Sequence, residues 1–233
     1  MSAAKGVRSH PLDRPVWSAF TGRQAEHAIV DGPALRVDPD YGLFAATADN
    51  RPGSLAALQR LVRAHGEVGL FERFDPPPVP GTAVIKRALC WQMTADSLAA
   101  PKPVTFAIEP LTEADGPEML ALATLTKPGP FFRRTHQLGD FVGVKIDGRL
   151  AAMAGERMRP DGFTEVSGVC THPDFRGRGY AARLMLQVAG AIQARGETPF
   201  LHSYADNAGA IALYQALGFR FRCEQILTVL GPV

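Results

Sequence analysis

Cysteine is scarce: Cys90, Cys170 and Cys223 are the only three in 233 residues. An odd, widely spaced set offers no disulfide framework and fits a reducing, cytoplasmic setting. Charge of one sign is also lacking, with 25 Lys and Arg against 23 Asp and Glu. That balance does not steer a chain toward nucleic acid or an anionic membrane. No apolar run approaches the roughly 20 residues of a membrane span. The opening MSAAKGVRSHPLDRP has no apolar signal-peptide core. The six histidines are scattered, none at ligand spacing from a cysteine or carboxylate, so no metal site is expected. No repeat recurs at a solenoid period.

Hydrophobic residues make up 46% of the chain and charged residues 21%. Those amounts suit one large or two small domains with a real core. A shift to small residues and prolines at 95–104 reads as a linker. It separates an N-terminal α/β unit, residues 1–100, from a second domain, residues 104–233. The first unit holds a helix at 54–65, with Leu55, Leu58, Leu61 and Val62 on one side. Strands are expected at 68–74 and 84–93, with PPPVPG as the loop between them.

The second part opens with a strand at 106–111 and a helix at 112–125, with Thr112 as N-cap and Asp115 in a capping-box position. The irregular KPGPFFRRTHQLG follows. Strands at 141–146 and 150–157 turn through Asp147-Gly148. A strand at 164–171, a helix at 179–195, a strand at 199–204, a short helix at 208–217 and a last strand at 219–230 complete the plan.

The densest chemistry lies in RGRGYA, residues 176–181. Gly177 and Gly179 permit positive φ and close approach. A helix starting there turns unpaired N–H groups toward the loop, and Arg176 and Arg178 add forked donors. This is a cradle for a diphosphate. Gly177, Gly179 and Ala182 also satisfy the dinucleotide pattern G-x-G-x-x-A, with Glu197 about twenty residues on. Context opposes that alternative: THPDF intervenes between strand and first glycine, and Glu197 precedes its strand instead of ending it.

The strand GVCTHP, the R-x-x-G-x-A loop, the strand FLHSYADN and the pattern N-x-x-A-I-x-L-Y-x-x-L-G-F at 207–219 occur in that order. Across roughly residues 104–230 this resembles the GNAT superfamily of acyl-CoA-dependent N-acetyltransferases. The resemblance implies a mixed α/β fold: a mostly antiparallel sheet with two splayed parallel strands and flanking helices. It implies acetyl-CoA (coenzyme A) as cosubstrate and a small-molecule or peptide amine as acceptor. Arg176, Gly177, Arg178, Gly179, Tyr180 and Ala181 would hold the diphosphate. Val169, Cys170 and Thr171 would pair with the pantetheine arm, which Asn207 would also reach. Tyr214 stands at the family's usual acid position. The loop holding Phe131 and Phe132 lies where the family places its variable acceptor-binding segment; these two are either loop anchors or part of an acceptor pocket.

Amine acylation needs a deprotonated amine, a polarised thioester carbonyl and a proton for the leaving thiolate. Strand alternation puts Glu165, Ser167, Val169 and Thr171 on one face, which makes Glu165 the candidate base and turns Cys170 away. Glu156, His202 and His172 are the other candidates, a backbone N–H near Val169 would polarise the carbonyl, and Tyr214 would act as acid or sit as a core tyrosine. Gly168 marks a bulge or a close ligand approach. A non-catalytic acyl-CoA sensor and a transferase of longer acyl chains are the competing functions. The N-terminal unit reads as a degenerate second copy without the R-x-x-G-x-A loop. Its job would be to cover the sheet, shape the acceptor cleft or form a homodimer contact.

Overall fold

The computed structural model describes residues 10–233. Helix α1 (Pro15–Phe20) begins at a proline, which has no N–H to lose in a first turn. Strands β1 (Ala28–Asp31), β2 (Ala34–Val37) and β3 (Phe44–Thr47) pair antiparallel in sequence. Helix α2 (Pro52–His65) buries Leu58, Leu61 and Val62, spaced to fall on one side. Strand β4 (Val68–Glu72) returns parallel to β3, and β5 (Thr82–Thr94) follows the proline-rich loop.

Strand β6 (Glu109–Leu111) is shorter than the sequence suggests, because Phe106 packs edge-on to Tyr180, 4.7 Å between centroids, instead of pairing. The Thr112–Asp115 capping box forms and opens a 3-10 turn that leads into α3 (Gly116–Thr126). Strands β7 (Phe141–Ile146) and β8 (Arg149–Glu156) turn through Asp147 and Gly148, both at positive φ. Then come β9 (Phe163–Thr171), α4 (Tyr180–Ala194), β10 (Thr198–Tyr204), α5 (Ala208–Ala216) and β11 (Arg220–Pro232).

All strands join one sheet in the order β1-β2-β3-β4-β11-β5-β10-β9-β8-β7-β6. Residues 95–108 hold no helix or strand, yet the sheet does not break there. β5, which precedes that segment, pairs with β10, while β11, from the far end, pairs with β4. Each half thus lends a strand to the other, and β5 and β11 meet along the middle. One apolar cluster lies under α4, with Leu184, Met185 and Val188; another lies under α1, with Phe20, Phe44, Phe71 and Phe200.

The halves also share a detail. β3 and β4 pair only at Phe44↔Gly69 and Ala45↔Leu70 before they part. Arg14 fills that opening: its guanidinium donates to Thr47 O (2.5 Å), Ala48 O (3.1 Å) and the Glu72 carboxylate (2.9 Å). Both openings border a cavity: Arg14, Thr47, Leu70 and Glu72 line the one in the first half, and Glu165, His202 and Ser203 the one in the second.

Candidate active site

In the second half, β9 and β10 run parallel and pair at Thr198↔Phe163, Pro199↔Thr164 and Phe200↔Glu165 only. Beyond that point residues 166–171 and 201–204 share no ladder. Each strand keeps its outer neighbour, β8 for β9 and β5 for β10. The two inner edges therefore diverge with unpaired backbone groups that a bound molecule can satisfy.

A bulge shapes one side of this fork. The β8–β9 register slips between Met153↔Cys170 and Gly155↔Ser167, where Gly168 takes φ +63°. An extra residue inverts side-chain alternation. The expectation that Glu165 and Val169 share a face, with Cys170 turned away, is corrected accordingly. Val169 packs with Val166 in the α4 cluster, while Cys170 joins Phe141 and Met153 under α3. The Phe141 ring occupies the space over the bulge. A methyl built on Gly155 would lie 2.3 Å from it, and one on Gly168 2.8 Å. Gly155→Ala is expected to cost roughly 1–3 kcal/mol by overpacking, read as a lower Tm; an unchanged Tm would refute this account of the bulge.

At the open end of the fork, Gly177 and Gly179 both hold φ +77°, and a Cβ placed on either would meet nothing within 4 Å. Conformation, not crowding, selects glycine there. Gly179 is the N-cap of α4 and brings no side chain to its first turn, so the leading N–H groups stay free. Gly177, Arg178 and Gly179 donate to no backbone carbonyl among the described residues. Arg176 and Arg178 are exposed or nearly so, and Arg178 lies 5.3 Å over the Phe175 ring. Tyr180 turns its ring into the core.

A groove runs from this loop into the fork. Arg176 through Ala181, Val169, Cys170, Thr171, Asn207 and Tyr214 all line it. Asn207 caps α5, accepting at Oδ1 from the Ala210 N–H (3.2 Å), which leaves its amide nitrogen free. The Tyr214 hydroxyl makes no hydrogen bond among the described residues. Burial raises its pKa, so it stays protonated at neutral pH. Burial likewise pushes the Cys170 thiol up to about 11, which makes it inert.

A second cavity meets the groove at Pro128, Val169, Tyr204, Asn207 and Tyr214. Glu165, Ser167, His202 and Ser203 line it from the fork, and Phe44, Phe71 and Cys90 from the N-terminal half. Pro128, Gly129 and Pro130 line it as well, but Phe131 and Phe132 do not. Phe131 is instead edge-on to Phe141 at 5.8 Å, bracing the bulge. Glu156 lines neither cavity; it is buried against Arg195 (2.6 Å) beside the end of α4. His172 accepts from the Asp174 N–H (3.3 Å) and helps cap the turn before the cradle.

Glu165 is fully buried and saturated. Arg157 donates to it through Nε (2.8 Å) and Nη2 (2.7 Å), and His202 Nδ1 lies 2.7 Å away. Burial alone would raise its pKa. The Arg157 charge and the His202 and Arg157 hydrogen bonds win, holding it at about 2. A carboxylate so placed is ionised but a poor proton acceptor, which argues against the free base that its strand position suggests. His202 Nε2 lies 3.0 Å from Gln92 Nε2, and Arg222 donates to Gln92 Oε1 (2.8 Å). Those contacts orient the Gln92 amide to donate, so the network assigns His202 the tautomer with its proton on Nδ1. Because Glu165 is on β9 and His202 on β10, their contact is a strut just past the last ladder pair.

Sequence reasoning missed Arg157, Gln92, Phe44 and Phe71. A signal existed for the first: Pro160-Asp161-Gly162 turns β8 into β9, and that turn sets Arg157 opposite Glu165, with Arg157 N–H on Glu165 O at 3.1 Å. Nothing local marks the others, which come from elements distant in the chain.

The FR47-like protein family model matches residues 142–227. A solved structure from Novosphingobium aromaticivorans, described as a GNAT-family acetyltransferase, is 50% identical. The alignment covers 96% of this chain and 99% of that one, with a TM-score of 0.88. A GCN5-related N-acetyltransferase from Kribbella flavida shares the fold at 20% identity, with 98% and 96% covered and a TM-score of 0.64. A tandem GNAT protein of clavulanic acid biosynthesis does so at 12% identity, with 85% and 78% covered and a TM-score of 0.54. No curated protein matches.

Proposed function

Because the chain belongs to the GNAT family of acetyltransferases, we propose that it transfers acetyl from acetyl-CoA to a primary amine by direct attack in a ternary complex. The observation that carries this reading is the junction of two cavities at the β9–β10 fork. One cavity suits a diphosphate-bearing carrier and the other a small acceptor.

The residues present fit acetyl-CoA. Gly177 and Gly179 leave room where a Cβ would stand, and the free N–H groups at the α4 start suit phosphate oxygens. The open edge of β9 from Val169 to Thr171 and the Asn207 amide suit the pantetheine amides. When bound, acetyl-CoA supplies an activated acetyl thioester. Tyr214, lining both cavities, is placed to protonate the leaving sulfur. The backbone at Val169 polarises the carbonyl. Glu165 serves as a strut, and the acceptor's proton leaves to solvent through the groove.

The N-terminal half is a second copy of the fold turned to another use. Arg14 bridges the two strands of its fork, and its Phe44 and Phe71 wall the acceptor cavity. A thiol-release assay with acetyl-CoA across an amine library tests the activity. Tyr214→Phe is expected to lower kcat by roughly 100-fold or more while the Kd for CoA stays within about twofold, since one hydroxyl is removed. An unchanged kcat would take Tyr214 out of the acid role.

A further inference from the structure

Arg157 has five N–H donors, and Glu165 accepts from two of them, one on Nε and one on Nη2. Nη1 makes no hydrogen bond among the described residues. The side chain is nine-tenths buried, its relative exposure 10%, and it lines the acceptor cavity. Its guanidinium is held over the Phe44 ring, 4.8 Å to the centroid, so the group cannot swing elsewhere without losing both contacts. Nη1 keeps access to the cavity, where water or a bound molecule can partner it. A fixed, unpartnered donor on a cavity wall points to an oxygen supplied by whatever occupies the cavity.

The charges around it say which kind of oxygen. Among the described residues, Arg157 and Glu165 are the only Lys, Arg, Asp or Glu side chains lining this cavity, and they neutralise each other. His202 presents a satisfied, proton-on-Nδ1 ring. A free carboxylate on Arg157 would add a second negative charge beside Glu165 with one cation between them. A carbonyl or hydroxyl oxygen takes the same donor without that repulsion. Phe71, Leu201 and Leu227 give the wall an apolar side and Ser167, Ser203 and Asn207 a polar one; the apolar side suits an apolar or aromatic body.

We propose that Arg157 is an acceptor-binding residue whose Nη1 holds a neutral oxygen, so that the acceptor class is a small primary amine carrying an amide, ester or hydroxyl group on an apolar or aromatic skeleton. The inference rests on the acceptor-cavity reading above.

The test uses the full chain with acetyl-CoA and three matched amines: phenylalanine amide, 2-phenylethylamine and phenylalanine. These share the ring and the amine nitrogen and carry a carboxamide, no oxygen, or a carboxylate; because the carboxamide also makes the amine less basic, rates are compared at equal concentrations of unprotonated amine. Phenylalanine amide is expected to show at least roughly tenfold higher kcat/KM than either of the others. Arg157→Lys, which keeps a cation beside Glu165 but removes the forked donor, should bring the amide down to the level of 2-phenylethylamine while the Kd for CoA stays within about twofold. Where that variant does not fold, the paired change Arg157→Met with Glu165→Met removes both charges and reads the same preference. Equal rates for the amide and 2-phenylethylamine, a preference for phenylalanine, or an amide preference that survives the loss of Arg157 would each overturn the proposal. If no amine is acetylated, the acetyl-transfer reading fails by itself. Calorimetric binding of the three compounds to the CoA-loaded protein then supports this inference if the amide binds tightest and overturns it if it does not.

Discussion

Glu165→Ala is expected to remove roughly 3–5 kcal/mol of folding stability, the largest effect of any single side chain near the fork. The carboxylate is fully buried and accepts from three residues, Arg157, His202 and the Met158 N–H. Deleting it strands a nine-tenths-buried guanidinium without its counter-charge and leaves the His202 Nδ1 proton without an acceptor. Urea denaturation at pH 7 measures the loss, and a change below about 1 kcal/mol would mean that the pair is not the keystone described here. The same pair sets a pH dependence. A carboxyl depressed from its ordinary 4.5 to about 2 contributes stability that is complete above the unfolded-state value. That stability is lost as pH falls through the window from 4.5 to about 2. For this fully buried group the contribution is on the order of 3 kcal/mol. In Glu165→Gln, acid denaturation should show a correspondingly weaker slope in that window.

Arg176→Glu should weaken CoA binding about 100-fold with the fold intact. Arg176 lies at the protein surface and makes no ion pair among the described residues, so its replacement leaves no buried group behind. Reversing its charge beside a diphosphate converts attraction to repulsion, worth roughly 3 kcal/mol and thus about 100-fold in Kd. Calorimetry with CoA reads it directly. Binding at the native affinity would show that residues 176–181 are not the cradle.

The two predictions sit at opposite ends of legibility. The cradle is readable because its determinants are contiguous: two glycines, two arginines and a helix start lie within six residues, the glycines and helix start acting through backbone and the arginines through their side chains. The fork is readable only as an implication of family resemblance, since the end of a parallel ladder leaves no local mark. The Glu165 environment escapes a reading by alternation for a definite reason. A one-residue bulge at Gly168 reverses which faces the later strand residues present, and alternation counted through it gives the wrong partner set. Glycine flags the bulge but not its consequence. The acceptor wall is beyond reach, because Phe44 and Phe71 arrive from β3 and β4, and Cys90 from β5. Which strand lies beside which is decided by the whole sheet.

The exchange of β5 and β11 has a consequence for how this molecule comes into being. β11 leaves the ribosome after every other strand, yet it belongs between β4 and β5, near the centre of the sheet. Until it emerges, β4 lacks a neighbour on one side, and the first half cannot finish its own core in advance of the second. The sheet therefore cannot be completed without residues 220–232, and stalled or clipped chains missing them would expose two sticky strand edges, on β4 and β5, to the cell's quality-control machinery.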